Sequence, residues 1–279
     1  MLLKTLILKL QIYHKLKKVK GIGKSILTKI EQFLETGEIN KVSEIKKSFE
    51  PSEKEKTIES FLNIWGVGEI KAEKIWNQGY RSIEDIRKNP SVLNRQQLIG
   101  LKYYEDLLKR IPRIKIIVLQ TIIRYILNKY FGKNSYDLKV AGSYRRGKDS
   151  SGDIDILITS DKFNLNDIIA LLEKWNIITD TLSVKEEKFM GIAHCPGGLN
   201  HAVRLDIEFL PKEEFAFGLL YFTGSKDFNR EIRQHAKKLG YTLNQHGLFK
   251  KDGSKILANT EEEIFDKLNL EYVSPKKRN

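Results

Sequence analysis

The spacing of apolar residues changes once along the chain, and this change limits the possible folds more than any other feature. Before Tyr136 the apolar residues recur at helix spacing, and no strand pattern is visible. Glycine-bearing breaks separate the predicted helices near Gly21, Gly37, Gly66 and Gly79. Beyond Tyr136, short runs of β-branched residues predict strands at 138–140, 154–159, 177–182 and 203–209. The chain is therefore predicted to be α+β, with a helical N-terminal part followed by a mixed β-sheet covered by helices.

The C-terminal part is predicted to add a small α+β subdomain. A helix at 164–175 lies between two predicted strands. Three more helices are predicted, near Phe215, at 227–239 and at 261–268. A short β-hairpin is predicted around Gly247. The last basic residues, Lys276 to Arg278, are predicted to form a solvated and disordered tail.

Basic residues outnumber acidic ones by 49 to 36, which gives a net charge of +13. This excess favours a polyanionic partner, with nucleic acid as the first candidate and an anionic membrane as the second. No uncharged apolar run approaches the ~20 residues that cross a bilayer, so a soluble protein is expected. The single cysteine, Cys195, excludes an internal disulfide and fits a reducing intracellular compartment, without distinguishing nucleus from cytoplasm.

One short pattern occurs twice, as Val19-Lys-Gly-Ile-Gly-Lys and as Ile64-Trp-Gly-Val-Gly-Glu. Each copy precedes an amphipathic helix, and its glycines leave backbone N–H groups at the helix start open to a phosphate oxygen. Two copies in a basic chain indicate helix-hairpin-helix motifs that bind DNA through Gly21, Gly23, Gly66 and Gly68. The alternative is that these glycines only terminate helices. The motif also predicts a monovalent cation, Na⁺ or K⁺, on the backbone carbonyls of Leu62, Ile64 and Val67.

The stretch from Gly142 to Asp155 carries the most specific chemistry. Alternation along a strand places Asp153 and Asp155 on one face, while Ile154 points to the core. Two adjacent carboxylates repel each other, and a bound cation such as Mg²⁺, which prefers carboxylate and phosphate oxygens, resolves the repulsion. Asp206, on another predicted strand, supplies a third carboxylate for two Mg²⁺ ions about 4 Å apart, with Mn²⁺ as a substitute.

Small and cationic residues upstream of this pair suit a triphosphate. Gly142 and Ser143 offer backbone N–H groups and a hydroxyl, and Arg146 adds a forked cation for the phosphate charge. A lone Asp-x-Asp on a strand is usually a solvated face. Combined with the Gly-Ser, Arg-Arg-Gly and third-strand aspartate, the pattern indicates nucleotidyl transfer.

Eight segments carry a further signal over nearly the whole chain. They are Gly21-Ile-Gly, Gly66-Val-Gly, Leu93-Asn-Arg-Gln-Gln-Leu-Ile-Gly-Leu-Lys-Tyr-Tyr, Lys109-Arg-Ile-Pro-Arg113, Gly142-Ser-Tyr-Arg-Arg-Gly, Ile178-Thr-Asp-Thr-Leu-Ser, Lys188-Phe-Met-Gly and Tyr221-Phe-Thr-Gly-Ser. In this order they resemble DNA polymerase beta and its family X relatives. The resemblance implies a monomeric polymerase that fills short gaps, with gapped or nicked DNA and deoxynucleoside triphosphates as substrates. A repair ligase or nuclease is the partner class that it suggests.

The resemblance also assigns roles and domain limits. Asp153 and Asp155 would bind both metal ions, and Asp206 would bind the catalytic ion and accept or relay the primer 3′-hydroxyl proton. The incoming nucleotide would be held by Gly142, Ser143, Arg146, Ser151, Gly152, Tyr221, Phe222, Gly224 and Asn229. Arg204 would contact DNA, and Arg233 would contact the template strand. The implied division is a shortened lyase-like domain at 1–49, a DNA-binding subdomain at 50–113, a nucleotidyltransferase palm at 114–212 and a nucleotide-selection subdomain at 213–279.

A second activity is left open by the same resemblance. In this family a lysine of the N-terminal domain forms a Schiff base with an abasic sugar and removes 5′-deoxyribose phosphate by β-elimination. Lys29, six residues after Gly23, occupies the matching position. However, the chain begins inside that domain, and Ser25 stands where a phosphate-binding lysine is usual. The preceding lysines are equally suited to bind a 5′-phosphate without catalysis.

Two other functions stay open on sequence alone. A template-independent terminal or RNA nucleotidyltransferase shares the Gly-Ser and Asp-x-Asp core, although the glycine repeats and the turn at Tyr221 argue against the RNA version. A catalytically silent DNA-binding scaffold would be expected to lose a metal-binding carboxylate, and this chain keeps all three.

Overall fold

The computed structural model describes residues 16, 19, 22–36, 39, 51–194 and 201–278. The chain divides into two compact units, residues 1–59 and residues 60–279. In the first unit, helix α1 spans Lys24–Thr36. Helix α2, Glu53–Leu62, begins in the first unit and ends in the second. Within these described ranges, no helix combines the length and apolarity needed to cross a bilayer.

Short helices open the second unit. They are α3 (Glu69–Asn77), α4 (Ile83–Lys88), a 3₁₀ turn (Pro90–Val92), α5 (Arg95–Lys102) and α6 (Tyr104–Leu107). Side chains fix their starts: Ser82 accepts a hydrogen bond from the Asp85 N–H, and Asn94 forms a capping box with Gln97. The expectation of no strand before Tyr136 was wrong, because β1 (Ile111–Pro112) pairs with β3 (Ser150–Ser151). Two residues are too few to show strand alternation in a sequence.

A five-stranded mixed sheet forms the centre of this unit. Its strands are β2 (Asp137–Val140), β4 (Ile154–Thr159), β5 (Ile178–Val184), β6 (Lys188–Ala193) and β7 (Val203–Phe209). They lie in the order β2-β4-β7-β6-β5, with β4 and β7 parallel and every other neighbouring pair antiparallel. Strand β6 was not predicted, because its Met190 and Gly191 interrupt the run of β-branched residues that indicates a strand. The predicted α+β class with a mixed sheet is confirmed.

The two faces of the sheet are covered differently. On one face, Ile154, Ile156 and Ile158 are buried in a core with helices α7 (Arg113–Phe131) and α9 (Leu165–Lys174). On the other face, Leu157 packs with Leu210 and with partly buried residues of α10 (Phe215–Thr223). Residues that alternate with the three isoleucines, including Asp155, therefore point away from α7 and α9.

The C-terminal part has its own small core. After α10 it contains α11 (Lys226–Lys238), β8 (Thr242–Asn244), β9 (Gly247–Phe249), β10 (Lys255–Ile256), α12 (Glu261–Lys267) and a 3₁₀ turn (Pro275–Lys277). The three strands form an antiparallel sheet. Phe217, Ile232, Leu248 and Phe265 are among the buried residues that join this sheet to the helices. The predicted hairpin at Gly247 lies at β8 and β9.

The predicted disordered tail was wrong for Arg278. This residue is 1% exposed, and its Nη1 donates to Glu261 Oε1 over 2.7 Å. Its carbonyl accepts the Ser225 N–H over 3.1 Å, and its guanidinium lies 5.2 Å from the ring centre of Phe228. A short basic run resembles a solvated terminus in sequence, because the carboxylate and the rings that bury Arg278 are distant along the chain.

Candidate active site

Three aspartates meet where two parallel strands run side by side. Strands β4 and β7 pair in a register that places Asp155 opposite Asp206. Asp153 lies at the bend immediately before β4, and its carboxylate converges on the same place. The carboxylate oxygens of the three residues lie within 4.8 Å of one another, which allows them to share a metal ion.

Burial and mutual repulsion oppose the simultaneous ionisation of these carboxylates. Burial, followed by the charge of Asp206, raises the pKa of Asp155 to about 7. Burial also raises the pKa of Asp206, which is 7% exposed. Asp206 Oδ1 is buried and accepts no hydrogen bond from the described residues. Because a buried carboxylate oxygen is costly without a partner, the donor set fits a divalent cation.

Arg204 is the cationic side chain that lies against these oxygens. Its guanidinium forms an ion pair with Asp153, and its Nε lies 3.3 Å from Asp206 Oδ1. The Arg204 Nε donates no hydrogen bond within the described chain, so the second contact is an electrostatic one. Arg204 was predicted to contact DNA, and in this structure it contacts the carboxylates.

A second ion pair lies beside the aspartates, and the sequence analysis did not identify it. Glu208 is 7% exposed, and burial raises its pKa although Lys188 bonds to it. Lys188 lies opposite Glu208 in the β6–β7 register, and its Nζ is 5.6 Å from the ring centre of Phe222. Strand alternation correctly predicted Glu208 on the same face as Asp206, but its partner Lys188 belongs to β6, which was not predicted.

The turn before α8 (Gly142–Arg145) brings the backbone against Asp155. Gly142 has a φ of +55°, and a Cβ at this position would lie 2.1 Å from Asp155 Oδ2. Both the backbone conformation and the space therefore require glycine. The next residue, Ser143, donates through Oγ to Ser151 Oγ over 2.7 Å, which fixes its hydroxyl to β3.

A cleft of about 1530 Å³ opens beside the aspartates. It is lined by eleven of the residues predicted to bind metal, nucleotide or DNA: Gly142, Ser143, Arg146, Gly152, Asp153, Asp155, Tyr221, Phe222, Gly224, Asn229 and Arg233. Two other predicted residues contact this lining. Ser151 accepts a hydrogen bond from Ser143, and Asp206 lies opposite Asp155 in the strand register. The structure thus brings together residues that are up to 91 positions apart in the sequence, Gly142 to Arg233.

The aromatic last turn of α10 is held from two sides. Arg146 Nη1 donates to the Thr223 carbonyl over 2.6 Å, and Asn229 Nδ2 donates to the Tyr221 carbonyl over 2.7 Å. The rings of Tyr221 and Phe222 meet edge to face, with centres 5.1 Å apart. Two predicted nucleotide-binding side chains therefore also fix the shape of the turn that was predicted to sense the sugar.

One face of α11 contributes cations that the sequence analysis mostly missed. Lys226, Arg230, Arg233 and Lys237 recur at helix spacing, and all four line the cleft. Only Arg233 was predicted as a contact residue. Their i, i+4, i+7 and i+11 spacing was visible in the sequence and could have identified the whole face. Arg110 also lines the cleft, and it donates to the Ser150 carbonyl over 2.6 Å.

The second glycine repeat forms a tight turn between α2 and α3. Gly66 has a φ of +81°, and its carbonyl accepts a hydrogen bond from Gln97 Nε2 over 2.8 Å. The Val67 N–H donates to the Ile64 carbonyl over 3.0 Å, and Gly68 begins α3 without a side-chain cap. This arrangement leaves backbone N–H groups at the start of α3 without an intrahelical acceptor, as phosphate binding requires.

Gly21 of the first repeat lies outside the described residues. Gly23 precedes α1, and its carbonyl accepts the Ile26 N–H over 3.0 Å. Lys29 is exposed on α1.

Comparison with known proteins gives consecutive matches along the chain. Residues 59–108 match the fingers domain of DNA polymerase lambda, residues 110–212 the DNA polymerase beta palm, and residues 218–279 the DNA polymerase beta thumb. DNA polymerase lambda of Rattus norvegicus is 36% identical over 95% of this chain and 48% of its own length. The chain belongs to the family X DNA polymerases. The predicted resemblance is confirmed.

This family X polymerase is also similar to two further relatives. DNA polymerase lambda of Arabidopsis thaliana is 31% identical over 95% of the chain and 53% of its own length. DNA nucleotidylexotransferase of Xenopus laevis is 29% identical over 100% of the chain and 62% of its own length. The chain therefore spans between about half and about three fifths of the length of these curated relatives. The four-part division with limits at 49, 113 and 212 stays a prediction.

Proposed function

We propose that this family X polymerase is a DNA-directed DNA polymerase of the gap-filling repair type, which adds deoxynucleotides to a primer 3′-hydroxyl. The observation that carries the proposal is the convergence of three carboxylates: the β4–β7 register sets Asp155 opposite Asp206, and Asp153 lies within reach of both. These carboxylates lie at a cleft whose other wall is the cationic face of α11. The cleft is larger than the ~300–1,000 Å³ of a small-molecule pocket, as a nucleotide beside a duplex end requires.

The three aspartates are the proposed metal ligands. Asp153 and Asp155 would hold two Mg²⁺ ions, Asp206 would share the catalytic one, and Mn²⁺ is the expected substitute. When bound, the ions supply positive charge to the attacking and leaving oxygens of an in-line displacement. Asp206, whose buried Oδ1 accepts no hydrogen bond from a described residue, would accept or relay the primer hydroxyl proton. Arg204 would exchange its contacts with Asp153 and Asp206 for contacts with DNA.

The remaining residues of the cleft are proposed to hold the nucleotide and the DNA. The α8 turn, with Ser143, Ser151 and Gly152, offers hydroxyl and N–H donors to the triphosphate, and Arg146 adds charge. The backbone between Tyr221 and Gly224 would exclude a ribose 2′-hydroxyl, and Asn229 would meet the nascent base pair. Arg233 would bind the template strand. The Gly66–Gly68 turn would bind a backbone phosphate, with Na⁺ or K⁺ on the Leu62, Ile64 and Val67 carbonyls.

The proposal is tested by incorporation on DNA that carries a single-nucleotide gap, with Mg²⁺ present. We expect addition of the nucleotide complementary to the template, its loss in Asp206→Ala, and its retention in Asp161→Ala, which removes an exposed palm carboxylate. Addition that ignores the template base, or that proceeds on single-stranded primer, would instead favour the nucleotidylexotransferase alternative. Binding of gapped DNA without any addition would favour the non-catalytic scaffold.

A 5′-deoxyribose phosphate on the same gap tests the proposed lyase activity of Lys29. Sugar-phosphate release that Lys29→Ala abolishes, and that Lys162→Ala, which removes an exposed lysine of the second unit, retains, would support Schiff-base chemistry at Lys29. Nucleotide addition without release would mean that the N-terminal residues only bind DNA.

A further inference from the structure

Five aromatic and basic side chains form a continuous surface on the helical side of the sheet. Tyr125, Lys129 and Tyr130 belong to α7, and Lys174 and Trp175 lie at the end of α9. We call these five residues the rear patch. Tyr125 is 59% exposed and Tyr130 is 42% exposed, so both rings are open to a ligand.

The rings and cations of the rear patch alternate in space. The Tyr125 and Trp175 rings meet edge to face with centres 6.1 Å apart. Lys129 Nζ lies 5.1 Å from the Trp175 ring centre and 5.9 Å from that of Tyr130. Lys174 Nζ lies 5.7 Å from the Tyr130 ring centre. In the part of the chain that the structure describes, neither lysine forms a salt bridge, so both charges are available to an anion.

The rear patch is separated from the candidate active site by the sheet itself. Ile154 and Ile156 point into the core that α7 and α9 cover, whereas Asp155 points to the opposite face. A ligand on the rear patch would therefore leave the cleft beside Asp155 free. The patch is not explained by the nucleotide and duplex contacts proposed above.

We propose that the rear patch binds single-stranded DNA, with bases stacked on its rings and phosphates paired with Lys129 and Lys174. Exposed rings beside cations are how proteins bind single strands without sequence preference, since every base has a π-face and every nucleotide a charge. Tyr125 and Tyr130 are about 7.5 Å apart along the helix axis, which leaves room for separate bases. Duplex DNA fits less well, because its bases stack on one another and offer no free face. An acidic peptide would use the two lysines but not the rings.

Fluorescence of Trp175 provides a direct test on the full chain. The protein contains three tryptophans, so Trp65→Phe with Trp76→Phe leaves Trp175 as the only one. With the cleft saturated by a blunt-ended gapped duplex, a short oligothymidylate is expected to quench this fluorescence. Anisotropy of the labelled oligothymidylate on the unsubstituted protein measures the same binding, and keeps the test valid if the background substitutions disturb folding.

Matched variants then identify the residues responsible. Tyr125→Ala with Lys129→Ala should weaken oligothymidylate binding roughly tenfold or more, since base stacking on one ring contributes about 1–3 kcal/mol and 1.4 kcal/mol is tenfold. The slope of log Kd against log salt concentration should decrease by about 0.7, because one phosphate contact is lost. Lys162→Ala with Lys212→Ala removes two exposed lysines elsewhere and should leave binding unchanged.

Three results would overturn the proposal. The first is an unchanged Trp175 signal and anisotropy when the cleft is saturated. The second is equal weakening by the control pair of lysine variants, which would mean that general positive charge binds the strand. The third is displacement of oligothymidylate by polyglutamate at equal charge concentration, which would identify the rear patch as a surface for acidic peptides.

Discussion

The raised pKa of Asp155 makes the stability of the metal-free protein depend on pH in an unusual direction. Its pKa rises from 3.8 to about 7, first through burial and then through the charge of Asp206. Between these two pH values the folded chain keeps a proton that the unfolded chain has lost. Because the folded state binds more protons in this window, the free energy of unfolding decreases as the pH rises through it.

The size of this decrease follows from the two pKa values. For a single site, the loss of stability between about pH 5 and about pH 8 is roughly 2–3 kcal/mol. In a unit of this size, that loss corresponds to a decrease in Tm of about 5–10 °C. The variant Asp155→Asn cannot ionise and should lack this part of the pH dependence, so it should be the more stable protein at about pH 8.

Thermal unfolding in the presence of a chelator, followed by circular dichroism, measures this difference. Asp161→Asn, which removes an exposed carboxylate of the same region, is the matched control and should follow the wild type at every pH. The reasoning would be refuted if Asp155→Asn and wild type lost stability in parallel between about pH 5 and about pH 8. Addition of Mg²⁺ should restore stability to wild type above neutral pH and not to Asp155→Asn.

Three further substitutions test other parts of the structure. Glu261→Ala leaves the guanidinium groups of Arg145 and Arg278 without their carboxylate, and it should lower the free energy of unfolding in urea by about 3–5 kcal/mol. Glu262→Ala, which removes an exposed carboxylate of the same helix, should leave it unchanged. Gly142→Ala should abolish nucleotide addition, because its Cβ would meet the carboxylate of Asp155. Gly132→Ala, also at positive φ but with no atom within 4 Å, should only lower Tm through backbone strain of about 1–3 kcal/mol. Gln97→Ala removes the donor to the second glycine turn and should cost about 1–3 kcal/mol in the same unfolding assay.

The parts of the site that were predicted from sequence rest on local rules. Strand alternation is enough to place Asp153 and Asp155 together, and a β-branched run around Asp206 is enough to expect a third carboxylate nearby. Helix spacing and glycine position likewise predicted the turn that begins at Gly66. Each of these inferences needs only a few neighbouring residues, so a single sequence contains the information.

The parts that were missed depend on pairing between distant segments. Lys188 reaches Glu208 only because β6 lies beside β7, and nothing within the segment 188–193 indicates which strand it will join. Arg278 is buried because Glu261 and three aromatic rings surround its guanidinium, which a basic run at the end of a chain does not predict. Rules of composition describe the average environment of a charged residue, whereas these residues are exceptions created by tertiary contacts.

The buried carboxylates described in this unit, Asp206, Glu208 and Glu261, each have a cation beside them, whereas the partly buried Asp155 does not. Glu208 has Lys188, Glu261 has Arg278, and Asp206 has Arg204 within 3.3 Å. Asp155 forms no ion pair with any described residue, and its pKa is the one raised to about 7. A buried carboxylate is stable when it is neutral or when it is paired. In the metal-free protein, Asp155 avoids an unpaired charge by keeping its proton. A divalent cation bound by all three aspartates would displace this proton and pair with the carboxylate. Metal affinity should accordingly increase with pH up to about 7, and isothermal titration in two buffers of different ionisation enthalpy should detect the release of a proton.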